Sequence, residues 1–465
     1  MFHISRRTFF TGLIGKLAFF AEISKSNIAS AIALDSLDVQ FCNTKGVTKN
    51  SSYAPWFTNL SSGTFSGKKL EVQSKNLSLQ ANTHEKKGLA SNHVHEMLHW
   101  SRETLTLIQK YQQNPLRACR SLAYIAVAMH DAFIWSKEFV KVDHSHMNFV
   151  AQYAAHRAAS LLLAHLYPSE SEGRFESQFL YLSQGLSLSN SLQEFANDIG
   201  KSIALALIDR SWQDGASRAW NMRRRPQTFE GIWTPAYPLF AVNPTEGMAG
   251  EWRPWLLPNK NRYDPPVALR PNTDTFLHEM NQVIDVNRHL TSDETRIARF
   301  WNLEAGSVTP GGIWIQIGMN EILKVVRTSD SQQCVEHALV VMADLSVTIH
   351  DAFIACWKIK FRDWSERPIT AIRRHLDPNF TPLLVTPSFP SYVSGHATIS
   401  AAAAKVLSHH MSSKARDFEK LASEAAKSRL LGGIHFEGDN QQGLLLGASV
   451  GNDVVQHRLK NLNLH

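Results

Sequence analysis

The sequence predicts an all-α protein, and three observations carry that expectation. From His95 onward, apolar residues such as Met97, Leu98, Leu105 and Ile108 recur at helical spacing. The alternating patterns that half-buried strands show are scarce. The pentapeptide His130-Asp131-Ala132-Phe133-Ile134 recurs as His350-Asp351-Ala352-Phe353-Ile354, each time after an apolar helical run and a few residues before a tryptophan. Two equivalent buried helices in two halves point to a duplicated helical bundle.

Residues 1–33 read as an export signal. Ser5-Arg6-Arg7-Thr8-Phe9-Phe10 is similar to a twin-arginine signature, an apolar run follows, and Ala29-Ser30-Ala31 or Ala31-Ile32-Ala33 fits a cleavage site. The expected destination is the periplasm or the cell exterior. Residues 34–94 are rich in Ser, Asn, Lys and Thr and read as a low-complexity linker, with Lys69-Leu70-Glu71-Val72 hinting at a short strand. Residues 95–465 form the expected helical catalytic domain.

Helices are expected over 118–135, 150–166, 169–183 and 192–212, then over 273–303, 312–328 and 332–360. Others follow Arg367, Ser394 and Ser413, and a last one covers 439–462. Residues 213–270 carry Trp220, Trp233, Trp252 and Trp255 among prolines and arginines. They predict a long ordered loop that shapes a pocket entrance.

Composition excludes some classes. The net charge is +7, but no Lys/Arg tract interleaves with aromatics, so nucleic acid is not an expected partner. Beyond the N-terminus no stretch of eighteen apolar residues lacks a charge. The nearest, 340–357, is interrupted by Asp344, His350 and Asp351, which argues against a polytopic membrane protein. Cys42, Cys119, Cys334 and Cys356 lack metal-ligand spacing. Cys119 and Cys356 read as small buried residues, and an exported chain could pair two of the four.

The chemistry concentrates between Lys360 and Asp439. In order come Lys360-x6-Arg367-Pro368, then Pro390-Ser391-Tyr392-Val393-Ser394-Gly395-His396, then Ser428-Arg429-x5-His435-x3-Asp439. Arginine offers a planar fork of donors and lysine a point charge, which suits a tetrahedral oxyanion. Ser394 can cap the following helix, and the Gly395 N–H can approach an anion at that helix's positive end. Gly432-Gly433 re-aims the chain before His435. Asp439 can then take a proton from one ring nitrogen, leaving the other as nucleophile or ligand. Any one string alone is an ordinary solvated face or cap; the three in order are not.

That set resembles the signature of the vanadium-dependent haloperoxidase and type 2 phosphatidic acid phosphatase superfamily. Similarity to its soluble bacterial haloperoxidase branch extends over roughly residues 95–460. It includes His99-Trp100, Phe300-Trp301-Asn302, Thr309-Pro310-Gly311 and the stretch from Phe389 to Ala397. Val393 departs from the pattern, since haloperoxidases often carry proline there. The resemblance implies two four-helix bundles in one compact body, with the site in one of them.

It also implies vanadate as cofactor, with phosphate able to occupy the same site. Lys360, Arg367, Ser394, Gly395, His396, Arg429 and His435 would hold it, and His435 would bind the metal. His396 would act as acid–base, Lys360 would polarise bound peroxide, and Asp439 would orient His435. Trp357 and Phe389 match the aromatic pair beside the halide site of vanadium chloroperoxidases; bromoperoxidases tend to have His at the second position. The expected function is halide oxidation by hydrogen peroxide, with a small organic substrate as acceptor. The alternative is an acid phosphatase acting on a phosphate ester through a phosphohistidine at His435. A phosphate-sensing module disagrees with the intact His396, His435 and Asp439. Asp351 and Glu304 are both candidates to hold Arg429, and a homodimer is possible by analogy.

Overall fold

The helical periodicity becomes thirteen α-helices among the described residues. The computed structural model describes 55–56, 70–71, 93–141, 144–227, 229–256, 258–259, 262–326 and 333–462. All of these fall in one of the two units into which the chain divides, Phe41–His465. The expected export signal lies outside the described residues, as does most of the expected linker.

The first half contributes α1 (His99–Lys110), α2 (Pro115–Phe139), α3 (His144–Leu166), α4 (Arg174–Ser183) and α5 (Asn190–Gln213). The second half contributes α6 (Asp274–Arg288), α7 (Ser292–Phe300), α8 (Thr309–Val326) and α9 (Gln333–Asp363). It continues with α10 (Pro368–His375), α11 (Gly395–His410), α12 (Ala415–Leu431) and α13 (Glu437–Leu462). The run expected over 273–303 is two helices. Thr291 starts the second with a capping box, its side chain accepting from Glu294 N and the Glu294 carboxylate accepting in return. Two short strands, β1 (Leu70–Glu71) and β2 (Val140–Lys141), pair in parallel.

α2 packs on α3 and α5 to make one bundle, and α11 packs on α9, α12 and α13 to make the other. The two meet where α2 packs on α9. α9 is long and apolar enough to cross a membrane by length and composition, yet 94% of its apolar window is buried inside the protein. A helix apolar on all sides is what the centre of a large helical core requires.

The repeated pentapeptide marks the same device in both halves. His130 Nδ1 lies 2.7 Å from Asp131 Oδ1, and His350 Nδ1 lies 3.0 Å from Asp351 Oδ1. Asp131 accepts from the backbone N–H of Trp56, and Asp351 from those of Trp255 and Leu256. An arginine covers each tryptophan: Arg458 is 4.8 Å from the Trp56 ring and Arg210 is 3.8 Å from that of Trp255. Trp56, within the expected linker, is therefore buried.

α13 approaches α11 closely through glycines four apart. A Cβ on Gly447 would stand 1.9 Å from Thr398 O, and one on Gly443 would stand 2.8 Å from Ser394 O. That close approach seats the N-terminal end of α13 against the start of α11.

Candidate active site

Lys360 lies in the last turn of α9 and is fully buried. The chain then turns through Trp364, which has φ +50°, and Arg367 becomes the N-cap of α10 with Pro368 at its first position. Lys360 and Arg367 are thus on two helices and not on one face. The loop between α5 and α6 pins this corner. Trp233 N donates to Trp364 O at 2.6 Å, Glu366 N donates to Gly231 O, and Trp220 packs beside Trp364. The loop also bridges the aromatic pair: Trp357 Nε1 donates to Thr245 O, while Thr245 N donates to Ser388 O.

Ser394 caps α11 as expected, its Oγ accepting from Ala397 N at 3.4 Å, and its N–H donates to Asp439 O at 2.9 Å. Gly395 opens the helix beside Phe353 and Trp357. Val393 is buried and follows a cis peptide bond. α12 ends at Leu431, and Gly433 turns the chain with φ +71°. A Cβ there would meet Asn287 Oδ1 at 2.6 Å and Pro382 Cβ at 2.8 Å, so glycine alone fits. His435 leaves that turn, and Asp439 follows in the first turn of α13.

The side chains converge. Lys360 Nζ donates to Pro390 O at 2.8 Å and Ser391 O at 2.6 Å, leaving one N–H. Arg367 donates from Nε to Phe389 O and from Nη1 to Ile434 O, and Nη1 also lies 3.1 Å from His435 Nε2. Arg367 Nη2 is buried with no hydrogen-bond partner. Arg429 donates from Nη2 to Ala298 O, and its Nη1 lies 3.4 Å from His396 Nε2. His435 Nδ1 is 2.8 Å from Asp439 Oδ2, which also accepts from Ser391 Oγ at 2.6 Å and Phe436 N at 3.2 Å.

The electrostatics are those of a site short of negative charge. Burial pushes Lys360 down to about 7, and Arg367 and Arg429 down to about 9, with repulsion from Arg367 adding to Lys360 and Arg429. Burial and the nearby cations hold His435 well below the ordinary imidazole range. Burial and Arg429 do the same for His396, opposed by the carbonyls of Trp301 and Asn302. Burial raises Asp439 against its hydrogen bonds and the cations. An anion among these groups would relieve the repulsion and occupy Arg367 Nη2, so the residues fit a vanadate-like or phosphate-like group.

Trp357 and Phe389 stand with ring centroids 4.9 Å apart. Phe389 is half-buried and faces both Lys360 Nζ at 5.2 Å and the Arg367 guanidinium at 4.8 Å. Lys360, Arg367, Ser394, Gly395, His396, Arg429, His435, Asp439, Trp357 and Phe389 therefore lie in or beside one cluster. Of the candidates for holding Arg429, Asp351 is committed to the backbone of Trp255 and Leu256, whereas Glu304 acts on Arg429 electrostatically. Ser391 was not singled out. Its place in the Pro390–His396 string was the available signal, but nothing local shows that its hydroxyl reaches Asp439.

A family model described as the VCPO second helical-bundle domain matches residues 408–463. No curated protein matches. Among solved structures, a bacterial vanadium-dependent iodoperoxidase superposes with a TM-score of 0.60 at 25% identity, covering 82% of this chain and 98% of its own. A bacterial vanadium-dependent chloroperoxidase in its holo form gives 0.58 at 16% identity, covering 75% and 93%. Its apo form gives 0.58 at 14%, covering 75% and 95%. Residues 408–463 thus match the VCPO second helical-bundle domain, and the chain shares its fold with bacterial vanadium-dependent haloperoxidases.

Proposed function

We propose that this protein is a vanadium-dependent haloperoxidase that uses hydrogen peroxide to oxidise halide at a vanadate held by His435. The observation that carries this reading is that three buried cations, Lys360, Arg367 and Arg429, act electrostatically on His435, with Arg367 Nη1 3.1 Å from its Nε2 and Asp439 2.8 Å from its Nδ1. The similarity to an iodoperoxidase and a chloroperoxidase supports it.

Asp439 accepts the Nδ1 proton, which fixes the tautomer and leaves the Nε2 lone pair for vanadium. Lys360, Arg367 and Arg429 would hold the oxygens of the anion, with the Gly395 N–H at the start of α11. The chemistry supplied there by vanadate is Lewis acidity toward hydrogen peroxide. His396, held neutral by burial and Arg429, would relay protons for hydrogen peroxide. The third Lys360 N–H would be free to donate to an oxygen of the bound group. Trp357 and Phe389 present an apolar, water-poor face where a halide can approach.

We also place the protein on the export side of the membrane. Cys334 is disulfide-bonded, which suits an oxidising compartment. The residues before 34 carry the signal expected for that route.

The test pairs two assays on metal-free protein. Orthovanadate is added, and iodide, bromide and chloride are compared with peroxide and a dione reporter. Hydrolysis of a nitrophenyl phosphate is measured without vanadate, each beside His435→Ala. Vanadate-dependent halogenation that disappears in the variant supports the reading. Phosphate release inhibited by vanadate, without halogenation, replaces it with a phosphatase.

A further inference from the structure

A second cavity, of about 240 Å³, lies beyond Asp439. Asp439 forms part of its wall, whereas Lys360, Arg367, Arg429, His396 and His435 do not. Its charge character is the reverse of the cage. Glu279, Glu366 and Asp439 line it, and no lysine, arginine or histidine does.

Glu366 keeps one unfilled acceptor although Arg374 pairs with it, and the charged groups acting on Glu279 are acidic. Glu366 is 2% exposed; its Oε2 accepts from Arg374 at 2.9 Å, but its Oε1 is buried with no hydrogen-bond partner. Glu279 accepts the Gly438 N–H at 2.7 Å, and the charged groups acting on it, Asp439 and Glu437, are both acidic. A buried carboxylate oxygen without a donor costs free energy that a cationic donor would recover. The remaining wall is mostly apolar, with Ser365, Tyr392 and Gln442 as its polar members and Phe276 and Phe436 at 5.2 Å between centroids.

We propose that this cavity binds a small organic ammonium ion, with its charge between Glu279 and Glu366 and its apolar body against Phe276 and Phe436. The volume holds roughly eight water-sized groups, far more than a bare ion needs. Among the described residues no group of three His, Cys, Asp or Glu side chains could hold a metal. An ammonium group supplies several donors on one atom, and aromatic faces attract its charge. Burial and Asp439 push Glu279 up to about 7, so binding ionises it and the affinity rises as pH climbs through that value. The site does not depend on the haloperoxidase reading.

Calorimetric titration of the metal-free full chain tests this with benzylammonium, benzyl alcohol and calcium chloride. Benzylammonium is expected to bind with one-to-one stoichiometry and benzyl alcohol about tenfold more weakly or less. Glu279→Gln keeps the acceptor for Gly438, and Glu366→Gln keeps the shape; each is expected to weaken benzylammonium about tenfold. Equal affinity for the alcohol, no millimolar binding of the amine, or calcium binding that the amine does not displace overturns the proposal. If either variant fails to fold, the wild-type pH series decides: affinity that stays flat or falls between the two sides of pH 7 also overturns it.

Discussion

Arg367 Nη1 lies 3.1 Å from His435 Nε2, so an arginine donor faces the ring nitrogen on which the proposed chemistry depends. A cation beside an imidazole normally repels its proton, and here that is the useful outcome. The ring stays neutral, its one proton sits on Nδ1 toward Asp439, and Nε2 keeps its lone pair. Arg367 then has a second free donor, Nη2, for an oxygen of whatever anion joins Nε2.

Asp439→Asn is therefore expected to weaken orthovanadate binding by about 10- to 100-fold, the range typical for partners behind a metal-ligating histidine. The amide can turn its NH2 toward Nδ1, which reverses the tautomer and puts the proton on Nε2. Ser391→Ala removes one hydrogen bond to the same carboxylate and should cost less. Vanadate titration followed by equilibrium dialysis gives both values; an unchanged affinity in Asp439→Asn would contradict the assigned tautomer.

Lys360 gives a pH prediction. Its folded value of about 7 lies below its ordinary 10.5, because the charged amine is buried. Between those values the unfolded chain binds the proton that the native chain does not, so stability rises with pH. Put the other way, stability present above about 10.5 is lost as pH falls toward 7. Chemical denaturation of the anion-free protein between pH 7 and 9 should show that slope, and Lys360→Met should flatten it. Saturating orthovanadate should flatten it too, since an anion restores the proton on Lys360.

The cage was readable from sequence because each of its strings is local: a helix end before proline, a serine cap, a glycine turn before histidine. What was not readable came from packing across the chain. Thr245 reaches Trp357 over 112 residues, and Glu279 reaches Gly438 over 159. Neither position carries a local pattern that distinguishes it from its neighbours. The pentapeptide echo pointed to duplication, but the tryptophans that complete the two copies lie in loops and the arginines in α5 and the last helix, with no matching spacing. The split of 273–303 into two helices was legible in Thr291-x2-Glu294, which the periodicity of the flanking residues masked.

Phe389→His is expected to lower the kcat/KM for chloride relative to bromide. Phe389 packs between Lys360 and Arg367, offering each cation a ring face and holding water away from them. An imidazole there adds a polar group that hydrates the approach, and chloride, the more strongly hydrated and less easily oxidised halide, loses more. A change of about tenfold in the ratio is within what one pocket side chain supplies. Competition between the two halides for one reporter measures it directly, and an unchanged ratio would remove Phe389 from the halide path.

The buried Asp344–Arg458 pair should matter to stability and not to chemistry. Asp344 Oδ1 meets Arg458 Nε at 2.6 Å and accepts from Trp56 Nε1 at 3.1 Å, while Oδ2 meets His410 Nε2 at 3.0 Å. Burial opposes the charge of Asp344, but Arg458 and His410 outweigh it and hold the carboxyl below its ordinary 3.8. Asp344→Ala takes the carboxylate away from the buried Arg458 Nε, and breaking a buried ion pair typically costs about 3–5 kcal/mol. The paired change Asp344→Leu with Arg458→Met removes both charges and should recover about half of that or more. Denaturant midpoints of the single and double variants give the comparison, with halogenation per folded molecule as the control. Because the folded carboxyl is the stronger acid, its contribution is present above pH 3.8 and is lost as pH falls below that. The acid limb of the stability curve should therefore be shallower in the double variant than in the wild type.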